Sequence, residues 1–220
     1  MRRLGVPEAP IVSMFDTIQN MKHYVRTSYG DSVETIGGPK WTIPVHGVGQ
    51  GNGAGPAIWA AVSTPMLNMM RSEGFGTFFQ TALTGKEISF VGYAFVDDTD
   101  LCETARHADS TAKEVAIRMQ QALECWEGGI RATGGAIVPA KSHWYLMEFE
   151  WHNGKWSYAP VTNTPAELKV RDSQGHMGPI ERLTTSEARR TLGVRLAPDG
   201  NNEAEYKYLR EQSQDWHDHV

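Results

Sequence analysis

The chain has 220 residues, 21 Lys and Arg against 26 Asp and Glu, and a formal net charge of -5. That length holds one well-buried core or two small ones, and 40% hydrophobic with 21% charged residues excludes a disordered tail. Its apolar runs break well short of the ~20 residues of a membrane span, and no basic-then-apolar leader opens it, so the expected protein is intracellular, cytoplasmic or nuclear, with no membrane partner. Two cysteines, Cys102 and Cys125, are too few for a disulfide framework and match no zinc spacing. Residues 97–128 hold eight acids and three bases, which alone supplies the -5. Such a cluster is either a cation site or a solvated acidic helix.

In chain order, Ile11, Met14, Phe15, Ile18 and Met21 recur at three and four and predict a helix over 10–24. A loose alternation over 23–29 starts a strand. A β-like run over 40–48 leads into a glycine-dense loop, 47–55, and Pro56 then opens a helix with Ile58, Trp59, Val62 and Met66 on one face. Pro65 is expected to kink it. Residues 87–96 are rich in Ile, Val, Phe and Tyr and predict one buried strand ending at Asp97-Asp98, with 99–104 returning antiparallel.

Thr111 and Glu114 form a T-x-x-E capping box, and Val115, Met119, Leu123 and Trp126 follow at helical spacing until Gly128-Gly129, where the helix is expected to end. The aromatic alternation over 144–156, with Asn153-Gly154, signals a type I′ hairpin. A second hairpin is expected over 167–182 around Ser173, Gln174 and Gly175, then a short strand over 191–196 and a charged helix from Asn202.

The sharpest chemical feature is Phe95-Val96-Asp97-Asp98, two adjacent carboxylates after an apolar strand. Neighbouring side chains on a strand point to opposite faces, so adjacent acids share a ligand only at the tip of a tight hairpin. There they offer hard oxygens to Mg2+ or Mn2+ on a rigid base. The bland reading is a solvated Asx turn. Upstream lies His46-Gly47-Val48-Gly49-Gln50-Gly51-Asn52-Gly53-Ala54-Gly55-Pro56, whose glycines allow close backbone approach to a nucleotide and whose Gln offers an uncharged amide. Taken alone, this loop also reads as a flexible connector.

Together these residues resemble the reverse transcriptase family. Gly47, Gln50 and Gly51 match its Gly-x-x-Gln-Gly motif B, with Gly55-Pro56 where Ser-Pro is common, and Phe95-Val96-Asp97-Asp98 matches its aromatic-x-Asp-Asp motif C. Gly134-Gly135 with Lys141 resembles motif D, and Thr191-Leu192-Gly193 resembles motif E, the primer grip. The resemblance implies an α+β right-hand polymerase palm, an antiparallel sheet backed by helices, with a β-hairpin insertion. It implies catalytic and metal-binding roles for Asp97 and Asp98, nucleotide contacts for Gln50, Gly51 and Lys141, and primer contacts for Leu192 and Gly193. The partners implied are an RNA or DNA template-primer and a dNTP. The expected organisation is a palm over 1–147, a β-rich insertion over 148–182, and a motif E strand with the start of a thumb helix over 183–220.

Motif A, with the other metal-binding Asp, has no counterpart: Asp16 sits at helical spacing and Asp31 in an expected turn. Met1 is therefore expected to fall just after motif A, leaving a fragment inactive by itself. The alternative is a non-catalytic remnant that binds nucleic acid. Asp98-Thr99-Asp100 is also similar to the Asp-Thr-Asp turn of family B DNA polymerases, but the Gln-Gly loop favours reverse transcriptase. Gly49-x-Gly51-x-x-Ala54 fits a relaxed dinucleotide fingerprint, a weaker match because Glu73 ends a helix and not a second strand. His217 and His219 read as a solvated tail. Trp59 and Trp126 read as core, and Trp144, Trp151 and Trp156 fall on the expected hairpin.

Overall fold

The computed structural model describes residues 1–2, 5–38, 53, 55–95 and 98–219. The chain divides into two compact units, Met1–Thr64 and Pro65–Val220. In the first, α1 (Glu8–Asn20) carries Glu8 in its first turn, where the helix dipole favours an anion, and buries Ile11. A minimal hairpin follows, β1 (Arg26–Thr27) with β2 (Gly30–Asp31). The Arg26 and Asp31 side chains close it with paired hydrogen bonds of 2.6 and 2.9 Å. α2 (Gly55–Ser72) opens with Gly55-Pro56 and runs on through Pro65, where the division between units falls.

In the second unit α2 stops at Gly74, whose φ of 78° suits a residue without a Cβ. Two hairpins follow, β3 (Thr77–Gln80) with β4 (Glu87–Phe90), then β5 (Gly92–Phe95) with β6 (Asp98–Leu101). The single buried strand expected over 87–96 is thus two strands in different hairpins, and most of their residues are exposed. The cause is local. Buried Val91 separates them, and a Cβ on Gly92 would lie 2.1 Å from the Asp100 carbonyl oxygen, so the chain turns where only glycine fits.

The Thr111–Glu114 capping box forms as expected and starts α3 (Ala112–Ala132). This helix does not end at Gly128-Gly129. A Cβ at Gly129 would sit 3.0 Å from the Met66 Cε of α2, so that glycine serves close helix packing, and termination waits for Gly134 at φ 84°. Trp144 lies on a separate strand, β7 (His143–Tyr145), and the type I′ hairpin proper is β8 (Phe149–His152) with β9 (Lys155–Tyr158), turning at Asn153 and Gly154, both at positive φ. The second expected hairpin is β10 (Leu168–Arg171) with β11 (Met177–Leu183). Residues 191–196 do not make one strand: β12 (Arg189–Thr191) and β13 (Val194–Leu196) form a hairpin around Leu192-Gly193. α4 (Glu203–Asp218) completes the described chain.

The class is α+β. Among the described residues the largest sheet has three strands in the order β10-β11-β7, with β11 and β7 parallel; the other ladders are two-stranded and antiparallel. Alternate residues Leu168 and Val170 turn inward with Ile180 and Trp144 to meet Ala116 of α3, and Met119 and Leu123 pack around them. Each such side chain contributes about 1.5–3 kcal/mol when fully buried. α3 also completes the outer edge of β10. The Gln120 amide donates to the Lys169 carbonyl at 3.0 Å and accepts its N–H at 2.8 Å, and two turns later the Glu127 carboxylate accepts the Arg171 N–H at 3.0 Å. Side chains thereby stand in for a missing neighbouring strand.

Candidate functional site around the Asp98 hairpin

The β5–β6 ladder pairs Gly92 with Leu101, Tyr93 with Asp100, Ala94 with Thr99 and Phe95 with Asp98. Directly opposed residues share a face, so Tyr93, Phe95, Asp98 and Asp100 all lie on one side of the ribbon. Asp98 is exposed at the turn end of β6, and Phe95 beside it is 59% exposed. The Asp100 carboxylate paired across the ribbon, together with burial, holds the Tyr93 phenol above its usual range. Burial, Asp100 and Glu103 push the Cys102 thiol up, so it is not poised as a nucleophile.

Asp97, Gln50 and Gly51 lie outside the described residues, so motif B and the first motif C acid have no geometry to compare. Lys141 is exposed at the end of a short 3-10 turn, Pro139–Lys141, immediately before β7. Leu192 and Gly193 form the β12–β13 turn with φ of 50° and 93°. Leucine in the left-handed region is uncommon, and its side chain is 52% exposed at the tip. Asp98, Lys141 and the Leu192-Gly193 turn therefore occupy three separate elements. Among the described residues no group of three or more His, Cys, Asp or Glu side chains is arranged to hold a metal ion.

Two residues that no sequence pattern singled out stand near this hairpin. Burial and the Arg189 guanidinium hold the His143 imidazole of β7 below its ordinary range, while Asp100 and Glu181 pull the other way. Glu103, two residues past β6, has a fully buried side chain paired with Arg118 at 3.4 Å and Arg106 at 3.9 Å. The one sequence sign of it was a pair of arginines inside an acidic segment.

Asp16 accepts the Asn20 side-chain amide within α1 at 2.9 Å, and Asp31 is engaged by Arg26. Among the described residues no helix is long and apolar enough to cross a membrane. Comparison with known protein families, curated proteins and solved structures finds no match to this chain.

Proposed function

We propose that this chain carries the motif C hairpin of a reverse transcriptase palm, from a retrotransposon-type element, and that Asp97 and Asp98 hold a divalent cation at its tip. The observation that carries the reading is the register: Phe95 and Asp98 are the last pair of the β5–β6 ladder, leaving the aromatic and the acid on either side of a two-residue connection. Chain order supports it as well. The glycine loop precedes α2, the hairpin follows, then α3, the Gly134 turn with Lys141, and a Leu-Gly hairpin turn.

Carboxylate oxygens are the ligand type that magnesium and manganese take. Asp98 is an exposed hard-oxygen ligand, and Asp100 follows on the same face. When bound, such an ion lowers the pKa of a coordinated hydroxyl and stabilises charge on phosphate oxygens. The chain's own parts are to orient that cation from the strand end, to present Lys141 as a positioned cation toward a dNTP triphosphate, and to support a template-primer at the Leu192-Gly193 turn. Gln50 and Gly51 would contact the nucleotide.

A second reading is nucleic-acid binding without catalysis, since the family resemblance supplies no counterpart of motif A in this sequence. The two readings part in one experiment. Calorimetric manganese titration with and without template-primer separates a cation site at Asp97 and Asp98 from metal-independent binding, and primer extension scores turnover.

A further inference from the structure

We propose that Glu103 is a positioning residue whose buried carboxylate fixes the β5–β6 hairpin to the end of α2 and to α3. Both hairpins of this region spring from Val91. Thr77 pairs with Phe90 at the foot of one, and Gly92 pairs with Leu101 at the foot of the other. The Thr77 hydroxyl donates to the Phe90 carbonyl at 2.9 Å, and the Cys102 N–H donates to the Val91 carbonyl at 2.8 Å. A Cβ on Gly76 would lie 2.7 Å from the Phe90 carbonyl oxygen, so the backbones meet there with no room for a side chain.

Above this node the β5–β6 ribbon has no further strand partner among the described residues, and its aromatic residues are half exposed. A two-stranded ribbon is marginal by itself, and packing on its faces does not set its direction. Its base does. Glu103 Oε1 accepts the Gly76 N–H at 2.6 Å, and Oε2 faces the Arg118 Nε at 3.4 Å. Arg118 also donates to the Gly74 carbonyl at 2.9 Å, and Arg106 donates to the same oxygen. One carboxylate thus joins the outgoing strand, the α2–β3 link and α3. Each oxygen has its own donors, so its orientation is fixed as well as its position.

The consequence for the tip rests on the palm reading. A four-residue strand reaches about 13 Å, so a tilt of about 10° at the base moves the tip by about 2 Å, enough to misplace a cation ligand. Glu103→Gln keeps one acceptor but turns an NH2 group toward two arginines.

The test compares amide hydrogen exchange in wild type and Glu103→Gln. Amides of Gly92–Phe95 and Asp98–Leu101 are expected to exchange on the order of tenfold faster, while those of β10 and β11 change by less than about twofold. Unchanged β5–β6 protection, or an equal rise in both regions, overturns the proposal. If Glu103→Gln lacks protected amides altogether, Arg118→Lys replaces it, with the same signature expected and the same results overturning it. Manganese affinity of wild type, Asp98→Asn and Glu103→Gln gives the second readout. Weakening by both substitutions supports positioning, and weakening by Asp98→Asn alone contradicts it. If wild type binds no manganese, the palm reading fails, and the exchange result still decides the role of Glu103.

Discussion

Phe95 and Asp98 face each other as the last pair of the β5–β6 ladder, so the Asp98 carboxylate leaves the sheet on the same side as the Phe95 ring. Two residues further on, Tyr93 and Asp100 repeat the arrangement. The ribbon therefore has an aromatic-and-acid face and an opposite face of Gly92, Ala94, Thr99 and Leu101. Everything proposed for this chain depends on that ribbon staying folded at its foot.

Gly92 is the most exacting residue of the foot. A Cβ there would approach the Asp100 carbonyl oxygen to 2.1 Å and the Leu101 Cα to 3.0 Å, both backbone atoms that cannot swing away. Gly92→Ala is expected to destabilise the second unit by at least about 2 kcal/mol, read from the midpoint of urea unfolding. A midpoint equal to wild type would mean that the two strands do not approach so closely.

The edge of β10 supplies an independent check on the core. Glu127→Ala removes the acceptor of the Arg171 N–H and leaves Arg131 and Arg171 without their shared carboxylate, at an expected cost of about 2 kcal/mol. Gln120→Ala, at a more exposed position, is expected to cost about 1 kcal/mol. Urea unfolding of both variants checks the order; a larger loss for Gln120→Ala contradicts it.

Much of this was legible in the amino-acid sequence, and the failures have physical causes. Capping residues and turn glycines act locally, so Thr111–Glu114, Asn153-Gly154 and the strands around residues 173–175 read correctly. Gly129 misled because its role is a contact with Met66, far away along the chain. The run over 87–96 looked like one strand because its composition is uniform, while the break at Val91-Gly92 comes from pairing with two different partners. Asp98 could be placed at a strand boundary from the apolar run before it. Glu103 could not, because its partners Gly74, Gly76 and Arg118 come together only in the fold.

His143 makes the stability pH-dependent. Burial and Arg189 depress its folded pKa below the 6.5 of a free imidazole, so the unfolded chain binds the proton more readily. The sign follows: this contribution is fully present above 6.5 and is lost as pH falls below 6.5 through the lowered folded value. Urea unfolding from about pH 7.5 to about pH 5 is expected to show a decline that flattens in His143→Phe. An identical slope in the variant would assign the decline to other groups.

Primer extension is expected to stay at background for the 220-residue chain with template-primer, dNTP and either magnesium or manganese. Two-metal transfer needs carboxylates from both sides of the ion pair, and the family resemblance supplies them from motif C alone. Extension that disappears in Asp97→Ala would contradict this and identify a complete site.

The most direct test of the central claim is a calorimetric titration of manganese into wild type, Asp97→Ala and Asp98→Asn. The account predicts one cation site in wild type and a loss of affinity on the order of tenfold or more in each variant, with folding retained because clustered acids repel one another when no cation is bound. Equal affinity in all three proteins, or no binding by wild type, would contradict it.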